Sequence, residues 1–246
     1  MKKRLTAMIL LLALVLSACT LTVPTAPTEA PTEETARPKP TETEAPTEAP
    51  ETTEAPTEAP TEATEEPAQA LDVGTVDGST YRNEALGIAC DFPEGWYIYN
   101  DTDLAALNNY ASQQYDNAAI TNAIESGQVA VVFCASQPGT YSSLNITAEK
   151  NQAPGFSEEA IINYSIPSLK AQLAQTGMNN IVCDTVEREF CGQKHTAIEV
   201  TCDVADIQFY ETLFILTCGD YFYTVTAASA QKAVIADMLN FFVPIG

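Results

Sequence analysis

The region that folds begins with the stretch Tyr81-Arg-Asn-Glu-Ala-Leu-Gly-Ile-Ala-Cys-Asp-Phe-Pro-Glu-Gly-Trp96. Apolar side chains recur here at every second position, at Ile88, Cys90 and Phe92, and this period of two is typical of a half-buried strand. The Pro-Glu-Gly at 93–95 predicts a turn, after which the chain continues extended. We therefore expect a strand followed by a tight turn as the first element.

Downstream of this stretch, helical and β-like patterns alternate to the end of the chain. Strand patterns cover 129–136, 144–150, 181–190, 195–205, 210–218 and 221–228. Helix patterns cover 103–115, 118–126, 157–175 and 231–242, and the third of these starts at Ser157, stops at Gly177 and contains Pro167. Short turns join most of the strands, which favours antiparallel pairing.

One strand pattern is apolar on both of its faces. Leu213 and Ile215 alternate with Phe214 and Leu216, so neither face of this strand meets water. A sheet covered on both sides explains such a pattern. We therefore predict an α+β fold over 71–246, in which an antiparallel β-sheet is sandwiched between helices as α/β/α.

Two segments resemble the PsbP/Mog1-like fold. They are the opening Tyr-x-Asn-x-x-Leu-Gly-Ile with Phe-Pro-x-Gly-Trp, and Asp220-Tyr-Phe-Tyr-Thr-Val-Thr-Ala-Ala-Ser229, which leads into the last helix. The resemblance covers about 81–242, and the chain is most similar to acidic lipoproteins of Firmicutes that carry this domain after a low-complexity stalk. It implies a sheet between helices and a non-catalytic role like that of the named relatives, a photosystem accessory protein and a nuclear-transport GTPase binder. No functional residue is carried over.

The N-terminus has the three parts of an export signal. A positive start at 2–4 precedes about ten apolar residues at 7–16, which are too few to span a bilayer. The next residues, Leu16-Ser17-Ala18-Cys19, resemble the lipobox of bacterial lipoproteins, in which the cysteine receives a diacylglycerol. We expect 1–18 to be removed and Cys19 to anchor the chain in the bilayer on the extracellular face of the cell membrane. An ordinary secretory signal that happens to end in cysteine is the alternative.

Residues 19–70 form a low-complexity linker built on the repeat Thr-Glu-Ala-Pro. Large apolar side chains are almost absent beyond Leu21 and Val23, so burial cannot offset the entropy of ordering. The prolines block helices and favour extended backbone. We predict a disordered, extended spacer; a tract carrying O-linked sugars and a proline-rich peptide ligand are the other interpretations.

The composition of 71–246 excludes one class of partner. This region holds 21 acidic and 6 basic side chains, a net charge of −15. Such a charge argues against nucleic acid and against direct adhesion to an anionic membrane surface. The chain therefore has no nucleic-acid partner in our interpretation, and its bilayer contact is the lipid on Cys19.

Six cysteines lie in the folded region, at 90, 134, 183, 191, 202 and 218. A hairpin centred on Cys191-Gly192-Gln193 predicts that Cys183 and Cys202 lie on opposite faces of the sheet, which excludes a disulfide between them. Cys90 and Cys134 fall within apolar strand patterns, where cysteine behaves as a small hydrophobe. We predict free buried thiols. The chain has no Cys-x-x-Cys, so zinc and thioredoxin-like centres are not expected.

No catalytic, metal or cofactor site emerges from the remaining polar residues. His195 is the single histidine and is interpreted as a partly exposed residue near a turn. Asp101 and Asp103 are interpreted as helix-capping residues. Tyr110 and Tyr115, in a weakly patterned region rich in Asn and Gln, are the candidates for a ligand-facing surface.

These observations favour a non-catalytic domain that binds an extracellular protein or a small ligand, held at the membrane by a lipid. The alternative is a cell-envelope enzyme or assembly factor. A converging set of buried polar side chains with perturbed pKa values would favour the enzyme. An apolar or aromatic patch rimmed by polar groups would favour binding.

Overall fold

The computed structural model describes residues 71–114, 118–151 and 155–245, and these form two antiparallel sheets and four helices. The strands are β1 Thr75–Asp77, β2 Thr80–Asn83, β3 Ile88–Asp91, β4 Tyr97–Ile98, β5 Val129–Gln137, β6 Ser142–Lys150, β7 Asn179–Phe190, β8 Gln193–Val204, β9 Ile207–Cys218, β10 Tyr221–Ser229 and β11 Phe242–Pro244. The helices are α1 Asp101–Gln114, α2 Ala118–Glu125, α3 Glu158–Gln175 and α4 Lys232–Leu239. The predicted signal peptide, Cys19, the linker and Tyr115 lie outside the described residues.

The larger sheet has seven strands in the order β4-β5-β6-β10-β9-β8-β7, and every neighbouring pair is antiparallel. Helices α1 and α2 pack on β5, and α3 packs on β7, β8 and β9. Ile198, Leu213 and Ile215 lie beneath α3 in one apolar cluster, while Phe214 and Leu216 belong to a second cluster. The two-faced pattern of β9 is thus confirmed, as are the α+β class and the antiparallel sheet.

The second face of the large sheet is covered mainly by strands. Strands β1, β2, β3 and β11 form a four-stranded sheet, in that order. Its buried side chains Tyr81 and Cys90 share a cluster with Phe133 and Phe214 of the large sheet and with Met238 of α4. We expected helices alone on this face. The predicted strand at 88–92 is present as β3. Its partner β11 begins at Phe242, the last residue of the predicted helix, and that helix ends at Leu239.

Two helix starts show why the chain folds locally as it does. The Ser157 hydroxyl accepts a hydrogen bond from the backbone N–H of Ala160 at 3.2 Å, so it caps α3. At α1, the Asn100 side chain accepts from the N–H groups of Thr102 and Asp103. The Asp103 carboxylate accepts from the N–H of Asn100 in return, at 3.1 Å. These reciprocal bonds satisfy donors that the helix cannot satisfy itself.

The β7–β8 hairpin corrects the predicted cysteine geometry. Its turn has two residues, Cys191 with φ 50° and Gly192 with φ 76°, so Phe190 pairs with Gln193. A turn with two positive φ angles suits the twist of a hairpin. The register therefore differs by one residue from the prediction, and Cys183 pairs with Val200 on the same face as Cys202. Our prediction of opposite faces was wrong, although none of the six cysteines forms a disulfide.

The start of the folded region is held by Asp72. Its carbonyl oxygen accepts hydrogen bonds from the side chains of Asn83 in β2, at 3.2 Å, and Tyr223 in β10, at 3.1 Å. Its carboxylate accepts from the backbone N–H groups of Gly74 and Ala85, at 2.8 and 2.9 Å. Asp72 therefore joins the first residues of the domain to both sheets. We call this arrangement the Asp72 clamp.

Candidate functional site

A cleft of about 310 Å³ opens between helix α4 and strands β7 to β9 of the large sheet. Its volume is at the lower end of the range for small-molecule sites. It is lined by Arg188, Glu189, Glu199, Val200, Thr201, Tyr210, Glu211, Thr212, Lys232, Ile235, Ala236, Leu239 and Asn240.

The two walls of the cleft differ in chemistry because different elements supply them. Helix α4 contributes Ile235, Ala236 and Leu239, which make an apolar wall. The paired strands β8 and β9 contribute the hydroxyl-bearing side chains of Thr201 and Tyr210, which lie opposite one another in the register. A bound molecule would therefore meet an apolar surface on one side and hydrogen-bonding groups on the other.

One end of the cleft is charged. An oxygen of Glu199 accepts hydrogen bonds from Nε of Arg188, at 2.9 Å, and from Nη2 of the same guanidinium. Its other oxygen lies 3.8 Å from Nζ of Lys232. The carboxylate is thus neutralised between two cations, and each cation retains N–H donors that Glu199 does not use. The residual hydrogen-bonding capacity of this end suits an anionic group.

Glu211 borders the cleft, but its side chain lies on the opposite face of the large sheet. It pairs with Val200 on β8 and Ala228 on β10, both of which lie in the cluster beneath α3. Side chains alternate along a strand, so the Glu211 carboxyl points away from the cleft, where Tyr210 and Thr212 point into it. Its side chain is buried, and burial raises the pKa of this carboxyl to about 8.

The structure places the sequence-predicted candidates elsewhere. Tyr110 is 46% exposed on α1, which packs on β5, and it is not among the residues that line the cleft. Tyr115 lies outside the described residues. A ligand-facing role for these two tyrosines stays a prediction.

His195 lies in β8 next to the hairpin turn. Its side chain is 18% exposed, and Nδ1 lies 3.8 Å from a carboxylate oxygen of Glu158. The imidazole packs edge-on against the rings of Phe190 and Phe214. Within the described ranges, no three His, Cys, Asp or Glu side chains come together with metal-ligand spacing.

Sequence reasoning missed the charged end of the cleft and the buried Glu211. The alternation of side chains along the strand could have identified Glu211, because it lies on the same face as the inward-facing Leu213 and Ile215. No local signal marked Arg188, Glu199 and Lys232, because their proximity depends on strand pairing and on where α4 packs. Among the described residues, no helix is long and apolar enough to cross a bilayer.

No protein-family model and no curated protein matches this chain. Among solved structures, a protein of Bacteroides thetaiotaomicron VPI-5482 is 10% identical, with a TM-score of 0.34, over 69% of this chain and 49% of that one. The chain thus spans about half the length of the Bacteroides protein. LpqN of Mycobacterium tuberculosis, described as involved in cell envelope biogenesis, is 6% identical, with a TM-score of 0.35, over 63% of this chain and 82% of LpqN.

Proposed function

We propose that this chain is a lipoprotein anchored through Cys19 on the extracellular face of the cell membrane, and that its domain binds a small ligand without transforming it. The observation that carries the binding function is the cleft under α4, where an apolar wall stands next to two cations. The lipobox-like sequence at 16–19 supports the anchor. The linker then serves as a spacer between the membrane and the domain.

The ligand that suits the cleft is a small molecule with an apolar body and an anionic group. Ile235 and Leu239 would contact the body, and the donors of Arg188 and Lys232 would contact the anion. The cleft-lining side chains include no Ser, Cys or His that could act as an activated nucleophile or imidazole base. The rival function is a cell-envelope enzyme or assembly factor; what supports binding is the apolar wall that stands next to hydrogen-bonding groups.

The binding function is tested with 1-anilinonaphthalene-8-sulfonate, a fluorescent probe that has an aromatic body and a sulfonate. We expect saturable fluorescence enhancement that Leu239→Trp abolishes by filling the cleft and that Lys232→Glu weakens. Val76→Trp, which adds the same side chain at an exposed position of β1 that does not line the cleft, is the matched control. Equal binding by all four proteins would contradict the proposal.

The anchor is tested separately by replacing Cys19 with alanine and fractionating the cells that express the protein. The variant should leave the membrane fraction, because a diacylglyceryl group supplies the two chains that stable anchoring needs. A variant that stays with the membrane without any lipid would overturn the anchoring function and leave the cleft untouched.

We also propose that the domain is a PsbP/Mog1-like one with helices on both sides of its large sheet. The segments that carry the resemblance fall in β2 and β3 at one end and in β10 before α4 at the other. Helix α4 adds a helical element to the face that the small sheet covers.

A further inference from the structure

The large sheet ends in an edge strand that is long and exposed. Within residues 71–114, 118–151 and 155–245, strand β7 pairs with β8 on one side and with no strand on the other. It has 12 residues and no proline, and Asp184, Thr185 and residues 187–189 are exposed. Such an edge presents a row of free backbone N–H and C=O groups. Strand β7 is therefore a surface to which a further strand can be added.

The hairpin turn decides which residues of β7 offer those backbone groups. Its two residues make Phe190 and Gln193 a hydrogen-bonded pair, and such pairs recur at every second position of an antiparallel ladder. The even-numbered residues from Val182 to Phe190 therefore bond to β8. The odd-numbered residues 183, 185, 187 and 189 direct their N–H and C=O groups to the open side. The pairing with β8 is regular over 182–190, so this alternation continues along the whole stretch.

The sequence of this edge is complementary to itself in one antiparallel register. If Val186 lies opposite Val186 of a second copy, Asp184 of each copy faces Arg188 of the other. In that register Val182, which is 50% exposed, faces the ring of Phe190 at both ends of the pair. The row on the cleft side is then apolar, ionic, apolar, ionic and apolar. Opposite charges and apolar pairs placed directly across strands stabilise a sheet.

A second pair of charges meets on the other face of the same strands. Burial raises the pKa of the Cys183 thiol and the ammonium of Lys170 on α3 partly opposes that rise, which places this cation beside Cys183. Lys170 is exposed, and no ion pair among the described residues includes it. In the register centred on Val186, Cys183 faces Glu189 of the second copy. The carboxylate of Glu189 then lies next to Lys170.

The charges near β7 favour pairing with a second copy of this chain. The region 71–246 carries a net charge of −15, so two copies repel each other over most of their surfaces. Three of its six basic side chains, Lys170, Arg188 and Lys194, nonetheless lie on β7 or beside it. A shift of two residues places Glu187 opposite Glu187 in one direction and Arg188 opposite Val182 in the other. The charges therefore select one register, whereas charges on an edge ordinarily prevent pairing.

We propose that two copies of this chain associate through β7, as an antiparallel pair of edge strands centred on Val186. The two large sheets then form one continuous sheet across a two-fold axis, and each contact occurs twice. Residues 183 and 185 of one copy exchange backbone hydrogen bonds with residues 189 and 187 of the other. The interface depends neither on ligand binding in the cleft nor on the lipid anchor.

The first test introduces single cysteines into the full chain and treats the purified protein with the oxidant copper phenanthroline. Opposed Cα atoms at the centre of the strand pair are about 4.5 Å apart, a distance that a disulfide bridges. Val186→Cys should therefore give a covalent dimer on a non-reducing gel. Thr185→Cys and Glu187→Cys are the matched controls, because each residue lies diagonally from its copy, at roughly 7–8 Å.

The two control variants should give no more covalent dimer than the unaltered protein, whose own cysteines set the background. Equal amounts of dimer from all three variants would indicate random collision and would overturn the proposal. Dimer from a control variant alone would show a different register and overturn it too, as would the absence of dimer from Val186→Cys.

The second test reverses charges and measures association of the full chain by sedimentation equilibrium. Asp184→Arg and Arg188→Asp each place like charges opposite one another at both ends of the pair. Each variant alone should dimerise about tenfold more weakly than the unaltered protein, or weaker still. An equimolar mixture restores both ion pairs, so heterodimers should form with an affinity near that of the unaltered protein. Glu94→Arg, the same change of charge in an exposed turn, should not weaken association.

Folding of each variant is checked by circular dichroism. If Arg188→Asp does not fold, Asp184→Arg is combined with Val186→Cys, and the covalent dimer should then be lost. An unaltered protein that stays monomeric would overturn the proposal. A mixture that associates no more tightly than the single variants would overturn it as well.

Discussion

Glu211 makes the stability of this protein depend on pH. Burial raises the pKa of its carboxyl from an ordinary value of 4.5 to about 8 in the folded protein. Between these two values the folded state holds a proton that the unfolded chain has lost, so the free energy of unfolding falls as pH rises. We expect the loss to be on the order of a few kcal/mol between pH 5 and 8. Burial, and to a smaller extent the Glu211 carboxyl, raises the pKa of the Cys183 thiol to about 11 and that of the Cys202 thiol to about 12.

Urea unfolding of the protein and of Glu211→Gln at several pH values between 5 and 8 measures this effect. The glutamine variant should be less sensitive to pH over the whole range, because it has no proton to lose. Glu189→Gln removes an exposed carboxyl and serves as the control. Parallel pH profiles for the protein and Glu211→Gln would show that the carboxyl does not titrate in this range.

At the scale of elements, the start of α1 rests on a reciprocal pair of side chains. Replacing Asn100 with alanine leaves the N–H groups of Thr102 and Asp103 without their acceptor. We expect the midpoint of urea unfolding to fall by an amount that corresponds to about 1 kcal/mol. Asn100→Ser, which restores a capping oxygen, should recover most of the loss. A serine variant as unstable as the alanine variant would show that capping is not the cause.

Long elements with a clear period could be predicted from the sequence, and short ones could not. The apolar runs of β5 and β10 and the cap at Ser157 specify their own conformation. Strand β11 has three residues, too few to show a period, and only pairing with β3 makes it a strand. The β7–β8 register depends on the length of the turn between the two strands. The turn has two residues because Cys191 adopts a positive φ, a conformation that its residue type does not predict.

The candidate sites depend even more on tertiary structure. The cleft exists because α4 packs across β9 and β10, and helical periodicity does not say where a helix docks. Glu211 has an inward phase in its strand, but its burial beneath α3 depends on the pairing of β9 with β8 and β10. A sequence pattern predicts the face of a sheet on which a side chain lies. The side chains beside it on neighbouring strands depend on the order of the strands in the fold.

At the scale of the whole molecule, the exposure of the cysteines predicts which of them react with a thiol reagent. Cys90, Cys134, Cys183 and Cys202 are buried, whereas Cys191 and Cys218 are partly exposed. Burial raises the pKa of the Cys90, Cys183 and Cys202 thiols and also the pKa of the Cys191 and Cys218 thiols. Access for the reagent, rather than the fraction of thiolate, therefore separates the two groups.

Brief treatment of the native protein with iodoacetamide, followed by peptide mass mapping, should therefore label Cys191 and Cys218 first. The four buried cysteines should be labelled only after denaturant is added. Recovery of a disulfide-linked pair of peptides, or labelling of the buried four at the same rate as Cys191, would contradict this expectation.

The Asp72 clamp also has a mechanical meaning. A protein tethered at its N-terminus receives any pull or drag on its folded part through the covalent chain just before Leu71. The force reaches Asp72 first. Asp72 is hydrogen-bonded to side chains of β2 and of the central strand β10, so the short edge strand β1 does not carry the force alone. In the proposed tethered protein, force would thus be shared between the two sheets before β1 separates from β2, so the hydrogen bonds of Asp72 would reinforce the point of attachment.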